Sequence, residues 1–310
     1  MANALITSAA GDLGASGLKS LLTFFGDRFL AVKRNRGGLL NVINTDYSAD
    51  LAQMGQTVNV PIAGTTSTNL LTDGNAVTLD NTTGSSVALT LNKHRVAAFG
   101  FTQVAQALSG NNAMQGIIDQ RIADMLNDIE YDVASVATAG FTTNTLGTYN
   151  TAFTEANAVS AISKLDGQKA PMPRYGFLHP NTNGWGAAIK ISNFVNSQYI
   201  GAESPLSKDP GAYGTHYWNG VFWRMSQAVN IASGTDADGF IIARDAIVFA
   251  SRPFAQPLSQ GVTAVNMVVD GVALQMLVSW NKDKLADDIT IHCLYGYAAG
   301  EEKYGCQYKL

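Results

Sequence analysis

The stretch Leu89–Gln106 reads LTLNKHRVAAFGFTQVAQ and surrounds a short basic cluster with apolar residues. From Val87 to Leu91 apolar and polar residues alternate, which is typical of a strand with one buried face. A second apolar run follows Lys93-His94-Arg95. The pattern predicts one long strand with a charged cluster at its middle. A catalytic site, a nucleic-acid contact and a subunit contact are all consistent with such a cluster.

The composition favours a large core and a surface of low charge. Of the 310 residues 46% are hydrophobic, so the chain can bury a core without disulfides or metals. Charged residues make up 14%, against about 25% in typical soluble domains. Desolvating charges is expensive, so this surface suits a chain largely covered by partners. The net charge of −4 argues against a primary nucleic-acid binder.

The sequence also indicates where the chain folds. No apolar run reaches the roughly 18 residues of a membrane span. The N-terminus lacks a basic region leading into an apolar stretch, so we expect no signal peptide. Cys293 and Cys306 fit a reducing compartment and need not pair. We therefore expect folding in the cytosol.

A projecting hairpin is predicted ahead of the basic cluster. The segment 56–62, QTVNVPI, is a short strand closed by a proline. The segment 63–86 has few bulky apolar residues, and Asp73-Gly74 within it is a strong turn signal. A strand, a long polar loop and a returning strand together indicate an extended hairpin with little core of its own.

The clearest helix runs from about Asn111 to Ala137, roughly 40 Å at 1.5 Å per residue. Its apolar residues recur at steps of three and four: Ile118, Ile122, Met125, Ile129, Val133 and Val136. Asp124, Asp128 and Asp132 share another face, where like charges oppose the helix unless a cation answers them. This is either a solvated acidic face or an acidic stripe that meets a partner.

The remaining segments complete the outline. Residues 17–36 form an amphipathic pattern with a basic end, which predicts a surface helix. Residues 154–288 are predicted to form an α/β body, with an exposed loop at 201–214. The terminal residues are predicted to form two strands about a turn at Gly300.

No pattern composes an active site. The chain has no nucleophile elbow, Walker loop or dinucleotide fingerprint. His292, Cys293 and Cys306 have an odd spacing for a metal site, and two reduced cysteines in a terminal sheet are the simpler interpretation. Tyr295 is most simply a strand residue on a half-buried sheet. We therefore expect no catalytic residue, no cofactor and no metal.

The order of parts resembles a known family. GQTVNVPI and a polar hairpin lead to VALTLNKHRVAAFGFT, then to the helix GIIDQRIADMLNDIEYDVAS, an α/β body and ITIHCLYGYAAGEEKYGCQYKL. This resembles, over essentially the whole chain, the major capsid proteins of tailed bacteriophages with the HK97-type fold, and within them the P22-like coat group without its inserted domain.

The resemblance implies an α+β fold and five segments. These are an N-arm (1–50), an E-loop with supporting strands (51–101), a P-domain with a spine helix (102–150), an A-domain (151–287) and P-domain return strands (288–310). It implies noncovalent self-assembly into hexamers and pentamers of an icosahedral head that encloses double-stranded DNA. Separate scaffolding, portal and decoration proteins are the implied partners, and the virion, assembled in host cytoplasm, is the implied location.

One departure from the family bears on the shell chemistry. Some members crosslink through an E-loop lysine, but residues 63–91 contain no lysine, so we expect no covalent crosslink.

Within this frame the basic cluster has two interpretations. In the first, Lys93 and Arg95 form salt bridges that brace the loop. Their partners are Asp124, Asp128 and Asp132 of the long helix, or Asp73 and Asp80 of a neighbouring hairpin. The other interpretation is a solvated basic patch that protects an edge strand.

Two alternatives to a phage coat stay open. An encapsulin-like compartment has the same fold and a protein cargo. An α/β enzyme without a recognisable motif would use His179 as its base.

Overall fold

The structure of the protein, a computed structural model, describes residues 29, 38–49, 55–62, 84–102, 111–191, 215–229, 231–233, 236–255, 257, 262–269 and 271–310. The predicted loop at 201–214 and the hairpin tip with Asp73 and Asp80 lie outside these residues. So does the predicted helix at 17–36, apart from Phe29, which is helical and fully buried.

Apart from the helical residue Phe29, the described part of the chain forms three α-helices and fourteen β-strands. The helices are α1 (Asn111–Gly140), α2 (Glu155–Gly167) and α3 (Trp185–Ala188). The first strands are β1 (Thr57–Ile62), β2 (Ser85–Thr90), β3 (Lys93–Thr102), β4 (Thr145–Gly147), β5 (Arg174–Leu178), β6 (Thr215–Trp218) and β7 (Val221–Met225). The others are β8 (Ile231–Ser233), β9 (Asp236–Ala243), β10 (Ile247–Arg252), β11 (Val262–Val269), β12 (Val272–Asn281), β13 (Ala286–Ala299) and β14 (Gly305–Lys309).

Helix α1 confirms the predicted long helix and extends it by three residues. Its 30 residues correspond to about 45 Å at 1.5 Å per residue. All six periodic apolar residues are buried: Ile118, Ile122, Met125, Ile129, Val133 and Val136. The helix ends where a Cβ on Gly140 would lie 2.7 Å from Cβ of Ala299. No helix in the described part of the chain is long and apolar enough to cross a membrane.

Strand β13 is the centre of a five-stranded antiparallel sheet. Its whole first part pairs with β3 on one edge, from Ala286 opposite Thr102 to Tyr295 opposite Lys93. On the other edge it pairs first with β12 and then with β10, and β12 continues to β11. Both edges of β13 are therefore hydrogen-bonded.

Both faces of β13 are covered as well. Alternate side chains point to opposite faces of a strand, so Ile291, Cys293 and Tyr295 share one face and join the core that contains α1. Leu294 points the other way and packs with Leu89 and residues of β1 and β10. The hairpin root and the long helix thus lie on opposite sides of one strand.

The hairpin is present, but its second strand ends earlier than predicted. β1 and β2 pair from Thr57 opposite Thr90 to Ile62 opposite Ser85. The expected single strand through the basic cluster is wrong, because β2 ends at Thr90 and β3 begins at Lys93. The chain changes partner at this break, from β1 to β13.

Glycine at position 296 permits that change of partner. A Cβ built on Gly296 would lie 2.1 Å from the carbonyl oxygen of Thr90 and 3.2 Å from Cα of Leu91. The backbone at the break therefore crosses directly over β13, and only a residue without a side chain fits beneath it.

The second sheet has the order β4-β14-β9-β5-β7-β6, with β8 added to β9. One face packs on α2 through a second core that contains Ala158, Leu165 and Trp223. The other face contributes Phe177 and Phe240 to the main core beside α1. Helix α2 begins at a Thr154 cap, whose hydroxyl accepts a hydrogen bond from the Asn157 amide at 3.3 Å.

Two expected segment boundaries differ from the sheets. Strands β10, β11 and β12 lie in the expected A-domain range 151–287, yet they pair in the sheet of β13. Strand β14 lies in the expected return segment 288–310, yet it pairs with β4 and β9 of the second sheet. The two predicted terminal strands exist, but they enter different sheets. Sequence order does not reveal this, because strand pairing is a long-range property.

We expect Gly296→Ala to destabilise the protein by about 2 kcal/mol or more, because the added methyl overlaps backbone that cannot move without breaking the sheet. Urea unfolding followed by tryptophan fluorescence measures the change. Gly116→Ala in α1 is the matched control, since its Cβ meets nothing within 4 Å. That control is expected to be neutral or to gain up to about 1 kcal/mol from helix propensity. Equal stability of the two variants would contradict the crossing described here.

Candidate functional site

Arg95 is the centre of a polar cluster between β3 and α1. In the register of β3 and β13, Arg95 lies opposite Cys293, so its side chain is on the face that carries the helix. Its Nη1 atom lies 3.0 Å from Oδ2 of Asp128, and its Nη2 atom lies 3.0 Å from Oδ2 of Asp132. One guanidinium therefore spans two carboxylates a helical turn apart, which removes part of their mutual repulsion.

Tyr295 closes the cluster from β13. Arg95 Nε donates a hydrogen bond of 3.0 Å to the Tyr295 hydroxyl. That hydroxyl in turn donates to Oδ2 of Asp132. Three elements, β3, β13 and α1, are thus joined through one arginine, one phenol and two carboxylates.

The environment keeps each group in the ionisation state that the cluster needs. Burial lowers the pKa of Arg95, but hydrogen bonds to Tyr295 and Asp132 outweigh it and hold that pKa above its ordinary value. Burial, and then the hydrogen bond to Asp132, raise the pKa of the Tyr295 phenol. Arg95 therefore stays charged and Tyr295 stays a donor at any physiological pH.

The two ion pairs differ in solvent exposure. The side chain of Asp128 is 56% exposed and that of Asp132 is 22% exposed, while Arg95 is 36% exposed. Solvent-exposed pairs contribute little because water and salt screen them. The contact with Asp132 is therefore expected to contribute more to stability than the contact with Asp128.

The other predicted charges do not join the cluster. Among the residues that the structure describes, neither Lys93 nor Asp124 forms an ion pair. Asp124 accepts a hydrogen bond of 2.6 Å from Gln120 Nε2, and Lys93 is exposed at the start of β3. Both line an open cleft of about 660 Å³ between β3 and α1, together with Arg121. The cleft therefore presents unpaired charges of both signs to the surface.

Glu130 is a second charged contact on α1, and its role was not predicted. It is 5% exposed, and its Oε1 accepts hydrogen bonds from the Leu39 amide at 3.0 Å and the Leu40 amide at 3.4 Å. The segment 38–49 also joins the sheet, where Phe249 donates a 2.8 Å bond to the Asn44 carbonyl. Glu130 thus holds the N-terminal segment on the long helix.

Burial makes Glu130 titrate near neutrality. Desolvation raises its pKa to about 7, although the amides of residues 38–40 and the charge of Arg224 oppose the rise. A carboxyl group that is favoured in its neutral form by folding stabilises the fold at low pH and less so at high pH.

The three candidate metal ligands His292, Cys293 and Cys306 do not come together. His292 and Cys293 point to opposite faces of β13, and Cys306 lies in the second sheet. Both thiols are buried and free, and burial raises the pKa of Cys306 to about 12. The described part of the chain holds no cluster of three or more metal-ligating side chains.

His179 takes a structural role in its turn. Its Nδ1 accepts a 3.2 Å hydrogen bond from the Asn181 amide, and burial lowers its pKa. Oδ1 of Asn181 accepts a hydrogen bond of 2.7 Å from the Gly184 amide, ahead of the short helix α3.

Two residues of the site were missed for different reasons. Glu130 lies within the buried face of α1, next to Ile129, and a single acid inside an apolar stripe is a signal that the sequence contained. Tyr295 has no such signal, because only the pairing of β3 with β13 brings it to Arg95.

Comparisons with known proteins give likeness in structure alone. No family model and no curated protein matches the sequence. A chain from a structure of Mycobacterium phage Che8 aligns with a TM-score of 0.58 and 13% identity, over 86% of this chain and 88% of that chain. A chain from the capsid of cyanophage P-SCSP1u aligns with a TM-score of 0.57 and 14% identity, over 87% and 86%.

A third similar structure is a virus-like particle from Pyrococcus furiosus. It aligns with a TM-score of 0.51 and 11% identity, over 93% of this chain and 99% of that chain. These alignments cover most of the length of both chains, so the chain has the α+β fold of these structures, as the order of its parts had predicted.

Double-mutant cycles test the difference between the two ion pairs. We expect a coupling of about 1–2 kcal/mol between Arg95→Ala and Asp132→Asn, because this contact is sheltered and shared with Tyr295. Coupling between Arg95→Ala and Asp128→Asn is expected at about 0.5 kcal/mol or less. Urea unfolding of the single and double variants gives both values. Equal couplings would show that exposure does not decide their strength.

Glu130 predicts a pH dependence of stability. Between its unfolded pKa near 4.5 and its folded pKa of about 7, the folded state keeps a proton that the unfolded state has lost, so rising pH destabilises the fold by about 3 kcal/mol in all. Glu130→Gln keeps the acceptor for the amides and removes the titration. We therefore expect this variant to gain stability over the wild type as pH rises from about 5 to about 8.

The measurement is urea unfolding of both proteins across that range. Asp124→Asn, on the same helix, is the matched control and is expected to follow the wild-type pH profile. A constant difference between wild type and Glu130→Gln would contradict the assignment.

Proposed function

We propose that this protein, which has the HK97-type capsid fold, is the major capsid protein of a tailed bacteriophage. It self-assembles noncovalently into hexamers and pentamers of an icosahedral head that encloses double-stranded DNA. The observation that carries the proposal is the full-length likeness to the capsid chain of cyanophage P-SCSP1u, over 87% and 86% of the two chains. The low charge content of 14% fits a subunit that buries much of its surface against copies of itself.

The structure supports an assignment of segments in which sheets, not sequence order, define the domains. The hairpin β1–β2 is the E-loop. Helix α1 and the five-stranded sheet around β13 form the P-domain. The second sheet with α2 forms the A-domain, and residues before β1 form the N-arm. The absence of lysine from residues 63–91 supports a shell without E-loop crosslinks.

The Arg95 cluster acts as a brace within one subunit. It fixes the start of β3 on α1 directly after the hairpin rejoins the body, so it holds the base of the E-loop at a defined angle. The hairpin packs through few apolar residues of its own, which is why polar contacts at its base matter.

The cleft beside the brace receives a neighbouring subunit. Lys93 and Arg121 line it without an ion pair from Asp124, and the hairpin tip of a second copy carries Asp73 and Asp80 and no basic residue between residues 63 and 83. Lys93 and Arg121 therefore support a contact between the cleft and the acidic hairpin tip of the next subunit, while Asp124 of the same cleft opposes it.

The protein has a structural and not an enzymatic role in this proposal. Separate scaffolding, portal and decoration proteins complete the head, which assembles in the host cytoplasm. No cofactor or metal takes part.

A second candidate is a protein shell without a genome. The likeness to the Pyrococcus furiosus virus-like particle, over 93% and 99% of the two chains, favours keeping it. An encapsulin-like compartment of this kind encloses a protein cargo, so the contents of the particle distinguish the two candidates.

Negative-stain electron microscopy of the purified recombinant protein, with its mass by light scattering, tests the shell. We expect closed shells, tubes or capsomers, and particles from a lysed infected culture are expected to protect double-stranded DNA from nuclease. A co-purifying protein cargo and no protected DNA would favour the compartment. A monomer or dimer at every salt concentration, with and without co-expressed phage proteins, would overturn both candidates.

A charge exchange tests the contact between subunits. We expect Lys93→Glu to reduce the yield of particles severalfold, because the cleft then repels the acidic hairpin tip. Adding Asp73→Lys and Asp80→Lys to the same chain is expected to restore part of the yield. Lys190→Glu is the control for net charge and is expected to assemble normally. Loss of assembly that the second pair of changes leaves unaltered would contradict the proposed partners.

A further inference from the structure

Two histidines meet on the face of the five-stranded sheet that carries the hairpin. His94 of β3 lies opposite Leu294, and His292 lies opposite Val96, so both imidazoles share the face away from α1. Nε2 of His94 is 3.3 Å from Nδ1 of His292, and the ring centroids are 5.5 Å apart. The two rings are therefore within hydrogen-bond distance, nitrogen to nitrogen.

Phe254 packs against both imidazoles. Its ring stacks on His292 with centroids 4.7 Å apart and planes 11° apart, and it contacts His94 at 4.7 Å. His292 is 9% exposed, whereas His94 is exposed. Within the described part of the chain Nε2 of His292 is buried and has no hydrogen-bond partner. One partner is thus accessible to protons from solvent and the other is enclosed.

The contact requires at least one neutral imidazole. A hydrogen bond between two ring nitrogens needs one protonated donor and one unprotonated acceptor. When both rings are fully protonated, two N–H groups and two positive charges face each other, and the bond is lost. Burial, and then the charge of His94, lower the pKa of His292, so protonation of His292 in the closed site is unfavourable.

Among the residues that the structure describes, the strands around the pair contribute few charged or polar side chains to this face. Of the elements packed around the pair, β10 contributes Arg252, which lies opposite Leu294 on the same face. β12 contributes Gln275, opposite His292. On β13 itself Asp288 lies four residues away and accepts from Asn281 at 2.8 Å. On the strands of this face Arg252 and Asp288 are thus the charged side chains among the described residues, one of each sign.

The remaining neighbours do not change this balance. Lys93 and Arg95 flank His94 in sequence, but the alternation of β3 turns their side chains towards α1. The hairpin root contributes apolar side chains, among them Leu89 and Leu91, and Tyr47 packs beside them.

The position of the pair gives it a mechanical consequence. His94 lies three residues after Leu91, where the chain leaves the hairpin, crosses Gly296 and enters β3. Leu89 and Leu91 pack with Leu294 in the same small core to which Phe254 contributes. Loosening the histidine contact therefore loosens the start of β3 and the packing of the hairpin root together.

We propose that His94 and His292 form an acid-sensitive clasp that holds the hairpin root on β13 at neutral pH and releases it on acidification. The clasp is a property of the folded chain and does not depend on the function proposed above. On opening, His292 reaches water and regains its ordinary proton affinity, so a falling pH favours the open form.

The direction of the effect follows from the protons bound in each form. Between the lowered pKa of His292 in the clasp and its ordinary value near 6.5, the open form binds a proton that the closed form does not. The clasp is therefore fully stable above that ordinary value and weakens as pH falls through this window.

Hydrogen–deuterium exchange of the full-length protein at about pH 7.5 and about pH 5 tests the clasp, with rates divided by the intrinsic rate at each pH. We expect peptides from β2 and the start of β3 to lose protection by roughly threefold or more at the lower pH. Peptides from α2 are expected to keep their protection. Equal protection of the β2–β3 peptides at both pH values would overturn the proposal.

His292→Gln is the decisive variant, because His292 is the imidazole whose pKa is lowered in the clasp. Its amide can still bond to His94 but cannot take a proton, so the acid-induced loss of protection is expected to disappear or fall severalfold. His179→Gln is the matched control, because it removes a half-buried histidine elsewhere and should leave the response intact. An acid response that persists in His292→Gln would overturn the proposal. His292→Asn provides the same test if the first variant is not folded at neutral pH by circular dichroism.

Discussion

Strand β13 needs hydrogen-bond partners on both edges and apolar contacts on both faces, and most of the fold follows from that requirement. Its backbone groups are bonded to β3 on one edge and to β12 and β10 on the other. Its apolar side chains alternate between the core beside α1 and the small core beneath the hairpin root. Because every buried donor and acceptor needs a partner, a central strand of this kind dictates where the helix and the hairpin lie. Gly296 is the point at which even a methyl group is too much.

Charged residues are few in this protein, and two of their contacts with other elements lie on helix α1. Arg95 joins β3 to the helix through Asp128 and Asp132, and Glu130 joins the N-terminal segment to the same helix. Removing Arg95 leaves the sheltered carboxylate of Asp132 poorly solvated, so this contact fixes geometry as well as adding stability.

Part of the candidate site could be predicted from the sequence. An acidic stripe at a four-residue spacing and a lone basic cluster are complementary patterns, and Arg95 with Asp128 and Asp132 realises that complementarity. That Tyr295 completes the cluster could not be predicted from the sequence. Tyr295 meets Arg95 only because residues about 200 positions apart are paired in one register, and the same pairing brings His94 to His292. Nothing in a local pattern carries that information.

Periodic patterns in the sequence were enough to predict the long helix with its buried stripe, the hairpin strands and the alternating terminal strands. Composition was enough to predict a surface poor in charge. The sequence contains no nucleophile elbow, Walker loop or dinucleotide fingerprint. Tertiary structure alone decided that the strand after the hairpin breaks at the basic cluster, that β10 to β12 belong with β13, and that β14 leaves that sheet for the other. The physical reason is that periodicity reports which face of an element is buried, whereas strand partners and register are decided by the closure of the whole core.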